Sequence, residues 1–114
     1  MKRGEIWTVA AGNNYAGKPR PAAIVQDDRF DEIESVTVCL FTSETPATPL
    51  FRLAVEPDSM NGLRRRCCLM VDKIMTVPKS KAGTRIGRLS DHDMVRLNRT
   101  IVVFLGLAGP ARGD

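Results

Sequence analysis

The spacing of apolar residues that is typical of an amphipathic helix occurs once in this chain, near its carboxyl-terminal end. Ser90, with Asp93 three residues later, resembles a capping box, which satisfies backbone N–H groups at a helix start. Beyond it, apolar residues recur at steps of three and four, at Met94, Leu97, Ile101, Phe104 and Leu105. The pattern predicts one helix that starts after Ser90, ends near Gly106 and packs its apolar stripe on a sheet.

The chain before Ser90 predicts β-strands separated by turns. Runs rich in β-forming residues span 5–9, 22–26, 36–41, 50–56 and 67–77, and a short apolar piece follows at 86–89. Strands followed by a terminal helix, without βαβ alternation, predict a mainly-β fold, a small antiparallel barrel or half-barrel that carries a C-terminal helix. At 114 residues the chain predicts a single domain over 1–114.

The cysteines and the longest apolar run indicate the compartment. Cys39, Cys67 and Cys68 are odd in number and lack zinc-site spacing, so we expect small buried thiols in a reducing environment. The longest apolar stretch, 100–107, is far shorter than the ~20 residues of a membrane span. We therefore expect a cytoplasmic protein that makes no membrane contact.

General catalytic motifs do not explain this sequence. It contains no glycine-rich phosphate loop, HExxH, CxxC or nucleophile elbow, so we expect neither a metal nor a nucleotide cofactor. His92 is the only histidine, which excludes a paired-histidine mechanism within one chain, and its position predicts an exposed residue in the first helical turn. The net charge of +4 allows a nucleic-acid or acidic-peptide partner without requiring one.

Three segments in order carry a family resemblance: KRGEIW at 2–7, RPAAIVQ at 20–26 and VCLFTS at 38–43. Together they resemble the MazF/PemK-type toxins, the endoribonuclease half of bacterial toxin–antitoxin pairs. The resemblance implies an SH3-like barrel, a homodimer and metal-independent cleavage of single-stranded RNA that leaves a 2′,3′-cyclic phosphate and a 5′-hydroxyl. It also implies inhibition by a cognate antitoxin.

The resemblance implies catalytic roles for Arg20 and Thr42. Attack of a ribose 2′-hydroxyl on its phosphodiester builds negative charge on the phosphorane oxygens, which a guanidinium and a hydroxyl can stabilise. The prolines on both sides of Arg20 restrict its backbone. The Ser43 hydroxyl can donate a hydrogen bond to the same phosphate oxygens as the Thr42 hydroxyl. Asp72 matches an acidic position of the family. Three roles are open for it here: it orients Arg20, it contacts a base, or it forms an ion pair with Lys73 or a nearby arginine.

The sequence also departs from the family pattern. Tyr15 stands where many relatives carry an acid, and Met70 where some carry an arginine. The identity of the general base therefore stays open. Tyr15 either stacks on a base or is a partly exposed loop aromatic. Base recognition is expected from the loops at 12–18 and 46–49.

Basic residues outside the catalytic pair offer a path for an RNA backbone. The run Arg64, Arg65 and Arg66, with Lys18 and Lys73, either follows the RNA along a groove or forms a solvated turn. The alternative to an endoribonuclease is the same barrel used without catalysis, as a module that binds RNA or a protein target such as DNA gyrase.

Overall fold

The computed structural model describes residues 1–10, 18–43 and 50–109, and six strands and one α-helix lie within them. Tyr15 and the predicted recognition segments, apart from Lys18, lie outside the described residues. The elements are β1 (Glu5–Val9), β2 (Arg20–Ile24), β3 (Ser35–Thr42), β4 (Arg52–Val55), β5 (Cys67–Pro78), β6 (Ala82–Arg88) and α1 (Asp91–Phe104). Short 3₁₀ turns cover Asp28–Phe30 and Lys79–Lys81.

All neighbouring strands are antiparallel and form one sheet in the order β4-β5-β3-β2-β1-β6. The predicted mainly-β class with a C-terminal helix is confirmed. β6 is longer than the predicted segment 86–89, because residues 82–85 pair with β1 while remaining largely exposed and therefore lack an apolar pattern. Within the described residues, no helix is long and apolar enough to cross a membrane.

The segment between β4 and β5 brings the two edges of the sheet together. The amide of Arg88 on β6 donates to the carbonyl of Met60 at 2.9 Å. Gly62 adopts a φ of +69°, and a Cβ at this position would lie 2.1 Å from the carbonyl oxygen of Ile86. This contact requires glycine at residue 62, because any other side chain would push the segment away from β6.

Both faces of the sheet are buried. The cluster on one face includes Leu69, Val71 and Leu97 of α1, and the cluster on the other includes Leu40 and Met70. Four consecutive residues of β5, 68–71, are accordingly buried. Their continuous apolar run is typical of a strand covered on both sides.

α1 begins as predicted, since Ser90 Oγ accepts a hydrogen bond from the amide of Asp93 at 3.1 Å. Leu97 is fully buried, and Met94 and Ile101 pack against the same core. The predicted apolar stripe is wrong at its far end, because Phe104 and Leu105 are 45% and 57% exposed. The core that covers the helix ends near Ile101, although the rings of Phe104 and Phe51 are 6.3 Å apart.

β3 and β5 change register beside the predicted site. Cys39 pairs with Ile74, whereas Phe41 pairs with Leu69, so residues 70–73 of β5 lie opposite Leu40 alone. Extra residues of this kind break the ladder and bend the strand. The irregularity changes the alternation of side chains over the segment that contains Asp72 and Lys73.

Candidate active site

Arg20 and Thr42 lie at the ends of neighbouring strands. β2 and β3 pair Ala22 with Leu40, and the same register continued by two residues sets Arg20 opposite Thr42. Since side chains alternate along a strand, both point to the same face as Ala22 and Leu40. Opposed residues of antiparallel strands have Cβ atoms about 5 Å apart, so a single phosphate can contact both side chains.

A cleft of about 360 Å³ opens over these two residues. Its walls come from the four strands β2, β3, β5 and β4, in their order across the sheet, together with the residue that follows β3. The lining residues are Arg20, Phe41, Thr42, Ser43, Arg52, Met70 and Lys73. Three cations and two hydroxyls therefore face one space, and none of its described lining residues is acidic. Such a set favours an anionic ligand.

A second cleft, of about 600 Å³, shares part of its wall with the first. Arg20, Phe41, Thr42 and Ser43 line both clefts. The remaining walls of the larger cleft are more apolar, with two further arginines: Thr8, Pro19, Pro21, Gly62, Leu63, Arg64, Arg65, Cys67 and Ile86. A chain-like ligand that ran from one cleft to the other would pass directly over Arg20 and Thr42.

Asp72 forms an ion pair with an arginine that the sequence analysis did not single out. Arg52 donates from Nε to Oδ1 at 2.6 Å and from Nη2 to Oδ2 at 2.9 Å, and both side chains are about four-fifths buried. The hydrogen bonds from Arg52 hold the pKa of the Asp72 carboxyl below its usual range, against the opposing effect of burial. Among the alternatives considered for Asp72, the structure shows the ion pair with a nearby arginine.

The sequence did not single out Arg52 because Phe51, Leu53 and Val55 alternate with Arg52 and Glu56, a pattern that predicts a solvent-facing arginine. The available signal was Asp72 itself, since a carboxylate among apolar neighbours requires a charged or hydrogen-bonding partner.

Two of the other predicted site residues, Ser43 and Lys73, lie at the smaller cleft, and Lys18 does not. Ser43 and Lys73 are exposed and line the smaller cleft, whereas Lys18 is exposed and is not among the described residues that line either cleft. Met70, which stands where some relatives carry an arginine, is 4% exposed and lines the smaller cleft. His92 has an 84% exposed side chain at the start of α1.

The basic run is split between two environments. Arg64 and Arg65 line the larger cleft, whereas Arg66 forms an exposed ion pair with Glu56, with Nε 3.1 Å from Oε2. The turn before this run is held by Asn61, which is fully buried, donates to the Glu56 carbonyl at 2.8 Å and accepts from the Leu63 amide at 3.0 Å. The backbone that leads into the two cleft arginines is therefore firmly positioned.

No group of three or more His, Cys, Asp or Glu side chains within residues 1–10, 18–43 and 50–109 is placed to hold a metal ion. The free thiols of Cys39 and Cys68 are buried, and Cys67 is partly exposed.

The antiparallel sheet, the terminal helix and the two clefts lined by arginines define a mainly-β protein with cation-rich clefts. Residues 2–105 match the model of the PemK-like, MazF-like toxins of type II toxin–antitoxin systems. The chain belongs to this family, and the predicted resemblance is confirmed.

Relatives agree with this assignment. A probable endoribonuclease MazF of Mycolicibacterium smegmatis (strain ATCC 700084 / mc(2)155) is 51% identical over 109 residues, which cover 96% of this chain and all of the relative. An endoribonuclease from Mycobacterial species, solved in complex with its cognate antitoxin, matches with a TM-score of 0.80 at 22% identity, over 96% of this chain and 99% of that one. The Mycobacterium tuberculosis toxin MazF-mt6 matches with a TM-score of 0.77 at 23% identity, over 92% and 99% of the two chains. These two structures support the fold.

Proposed function

We propose that this chain is a toxin endoribonuclease that cuts single-stranded RNA without a metal ion. In the proposed reaction a ribose 2′-hydroxyl attacks its own phosphodiester, which leaves a 2′,3′-cyclic phosphate and releases a 5′-hydroxyl. The observation that carries the proposal is the placement of Arg20 opposite Thr42, where the two clefts meet. The 51% identity to a probable endoribonuclease supports it.

Arg20 and Thr42 supply what the transition state requires. As the 2′-oxygen bonds to phosphorus, negative charge grows on the two non-bridging oxygens, and the bond to the 5′-oxygen then breaks. A guanidinium offers a planar fork of donors to these oxygens, and the Thr42 hydroxyl adds another. Because both residues sit on paired strands, the donors are placed before the charge develops.

In the balanced reaction the attacking 2′-hydroxyl gives its proton to solvent water, and the departing 5′-oxygen takes one proton from solvent water. The described residues of the two clefts contribute cations and hydroxyls, so we assign them the electrostatic part of the catalysis. Ser43 lines both clefts and is assigned a supporting hydrogen bond to the same phosphate.

An acidic protein segment suits the same clefts. Arg20, Arg52 and Lys73 line the smaller cleft, and Arg64 and Arg65 line the larger one. We propose that a cognate antitoxin covers these residues with an acidic and apolar segment that folds on contact. The relative solved with its own antitoxin supports this partner.

A second copy of this chain is the proposed occupant of the exposed apolar end of α1. Four large apolar residues there are between 45% and 69% exposed, Val103, Phe104, Leu105 and Leu107, and Leu50 is 79% exposed. Exposed apolar surface of this kind favours association, so we propose a homodimer. Sedimentation at several concentrations tests it. We also propose a cytoplasmic location, since an RNA substrate is available there.

The decisive experiment incubates the purified protein with an RNA oligonucleotide in excess EDTA and analyses the products by mass spectrometry. Products that end in a cyclic phosphate, together with resistance of an RNA that carries a single 2′-deoxy residue at the cut site, are expected. Intact RNA would contradict the proposal. Inhibition of DNA supercoiling by gyrase, assayed separately with Mg²⁺ and ATP and without EDTA, would then support the non-catalytic module.

A further inference from the structure

Arg52 has no role in the family resemblance, yet it lines the cleft that contains Arg20 and Thr42. We propose that Arg52 is a second RNA-binding arginine, which contacts a backbone phosphate next to the one that is cut, and that Asp72 is its positioning residue. The inference rests on the proposed function, since it takes single-stranded RNA as the ligand.

The strand order places Arg52 across the cleft from Arg20. β4 and β5 pair Arg52 with Met70, which also lines the cleft, and β3 separates β5 from β2. Three strand spacings of about 4.8 Å separate β4 from β2, or about 14 Å measured along the sheet. The two arginines therefore approach the ligand from opposite walls.

Asp72 fixes the direction of the Arg52 guanidinium. Its carboxylate accepts from Nε and Nη2, which uses two of the five N–H groups and fixes the plane of the group. The Phe51 ring lies 5.8 Å from Cζ of Arg52 and restricts it further. Because Asp72 holds Arg52 on the β5 side of the cleft, the two arginines contact different phosphates.

The chemistry of the cleft favours a phosphate over a base as the ligand of Arg52. Apart from the Asp72 carboxylate that pairs with Arg52, the other polar groups of this cleft are the Arg20 guanidinium, the Lys73 ammonium and the hydroxyls of Thr42 and Ser43. A guanidinium in such surroundings matches a phosphate oxygen with charge-assisted hydrogen bonds. Contacts with backbone phosphates increase the affinity for RNA of any base sequence, and they make this affinity fall as the salt concentration rises.

The test measures binding of an RNA whose cut-site ribose carries a 2′-O-methyl group, so that binding is separated from cleavage. Arg52→Gln is expected to weaken binding about tenfold, as for the loss of one charged hydrogen-bonded contact. The slope of log affinity against log salt is expected to fall by about 0.7, the value for one phosphate of a single strand. Unchanged affinity and slope would overturn the proposal.

The matched control is Arg96→Gln. Arg96 also forms a partly buried ion pair, with Asp93 at 2.9 Å, but it lies on α1 and lines neither cleft in the described residues. Its substitution is expected to lower the thermal midpoint and leave the salt slope unchanged. An equal fall of slope in both variants would show a general charge effect and would overturn the assignment of Arg52.

A second measurement removes the charge from the RNA instead of the protein. Single methylphosphonate linkages are introduced on each side of the cut site. At one of these positions the parent protein is expected to lose affinity and Arg52→Gln to lose none, because the contact is already absent. Equal sensitivity of the two proteins at every position would contradict the proposal.

Should Arg52→Gln fail to fold, Arg52→Lys is used with the same RNAs. It keeps the charge but cannot pair with Asp72 through two N–H groups, so weaker binding with the parent's salt slope is expected. An Arg52→Lys variant that binds the RNA as tightly as the parent protein does would overturn the positioning role of Asp72. Cleavage by the parent protein is scored separately, so failure of the proposed function is distinguishable from failure of this inference.

Discussion

Arg20 is the first residue of β2 and Thr42 the last of β3, and the register of these antiparallel strands, continued by two residues beyond Ala22 and Leu40, sets them opposite each other on one face of the sheet. Two residues further into each strand, the paired residues Ala22 and Leu40 are buried in the core and hold the two backbones in place. Residues positioned by regular strands have little freedom to drift from a productive arrangement. The proposed chemistry therefore relies on the sheet for its geometry.

Thr42→Val is predicted to lower the cleavage rate about 100-fold while the protein stays folded. Valine keeps the shape and β-preference of threonine but removes the hydroxyl donor, and loss of one such donor has an effect of this order. Single-turnover cleavage of an RNA oligonucleotide measures it. Thr37→Val is the control, because Thr37 lies on the same strand and its hydroxyl is 2.6 Å from that of Thr76. A Thr42→Val variant that cleaves the RNA as fast as the parent protein would contradict the role of the hydroxyl.

Alkylation of cysteines is predicted to modify Cys67 alone in the folded protein. Burial raises the pKa of Cys39 to about 12, and Cys68 is 2% exposed, whereas Cys67 is partly exposed and lines the larger cleft. Burial also raises the pKa of Cys67, so labelling with iodoacetamide at about pH 8.5 will be slow. Peptide mass mapping identifies the site.

Bound RNA is predicted to protect Cys67 from this labelling. A non-cleavable RNA that occupies both clefts covers the thiol, and the labelling rate falls several-fold. A DNA duplex of the same length serves as the control. An unchanged rate at saturating RNA would show that the RNA bypasses the larger cleft.

Asn61→Ala is predicted to reduce the free energy of unfolding by about 3 kcal/mol, measured by urea denaturation. The change removes the partner of the Glu56 carbonyl and of the Leu63 amide in a buried turn. Asn98, exposed on α1, is the control, and its substitution by alanine is expected to change stability by less than about 0.5 kcal/mol. Equal effects in the two variants would refute the anchoring role of Asn61.

Stability is predicted to fall as the pH drops below about 4. The pKa of Asp72 is lowered by hydrogen bonds from Arg52, and that of Asp31 by a hydrogen bond from the N-terminal amine. Because the unfolded chain binds these protons more tightly, the stabilisation is present above the unfolded-state pKa and is lost as the pH falls through the folded-state pKa.

Urea denaturation between pH 7 and pH 2.5 measures this dependence. Asp72→Asn is expected to be less stable at neutral pH and to show a shallower acid loss, because this carboxyl no longer contributes. The same acid loss in Asp72→Asn as in the parent would contradict the role of the ion pair with Arg52.

The strands and the helix start could be predicted because their signals are local. Ser90 caps α1 as its sequence indicates, and the RPAAIVQ segment contains β2. The exposure of Phe104 could not be predicted, since helical spacing does not reveal where the supporting core ends.

The ion pair of Arg52 and Asp72 could not be predicted from alternation. β5 is buried on both faces and has an irregular register over 70–73, so the direction of the Asp72 side chain depends on pairing with two other strands. In contrast, the family resemblance implied that Thr42 lies beside Arg20, and β2 and β3, which carry the two residues, are neighbouring strands.

The most direct measurement is single-turnover RNA cleavage by Arg20→Ala in EDTA, compared with Arg29→Ala. Arg29 is 80% exposed and pairs with Asp27, and it lines neither cleft in the described residues. Arg20→Ala is expected to cleave at least about 100-fold more slowly than the parent, and Arg29→Ala at the parent's rate. A folded Arg20→Ala variant that cleaves as fast as the parent would contradict the mechanism proposed for this site.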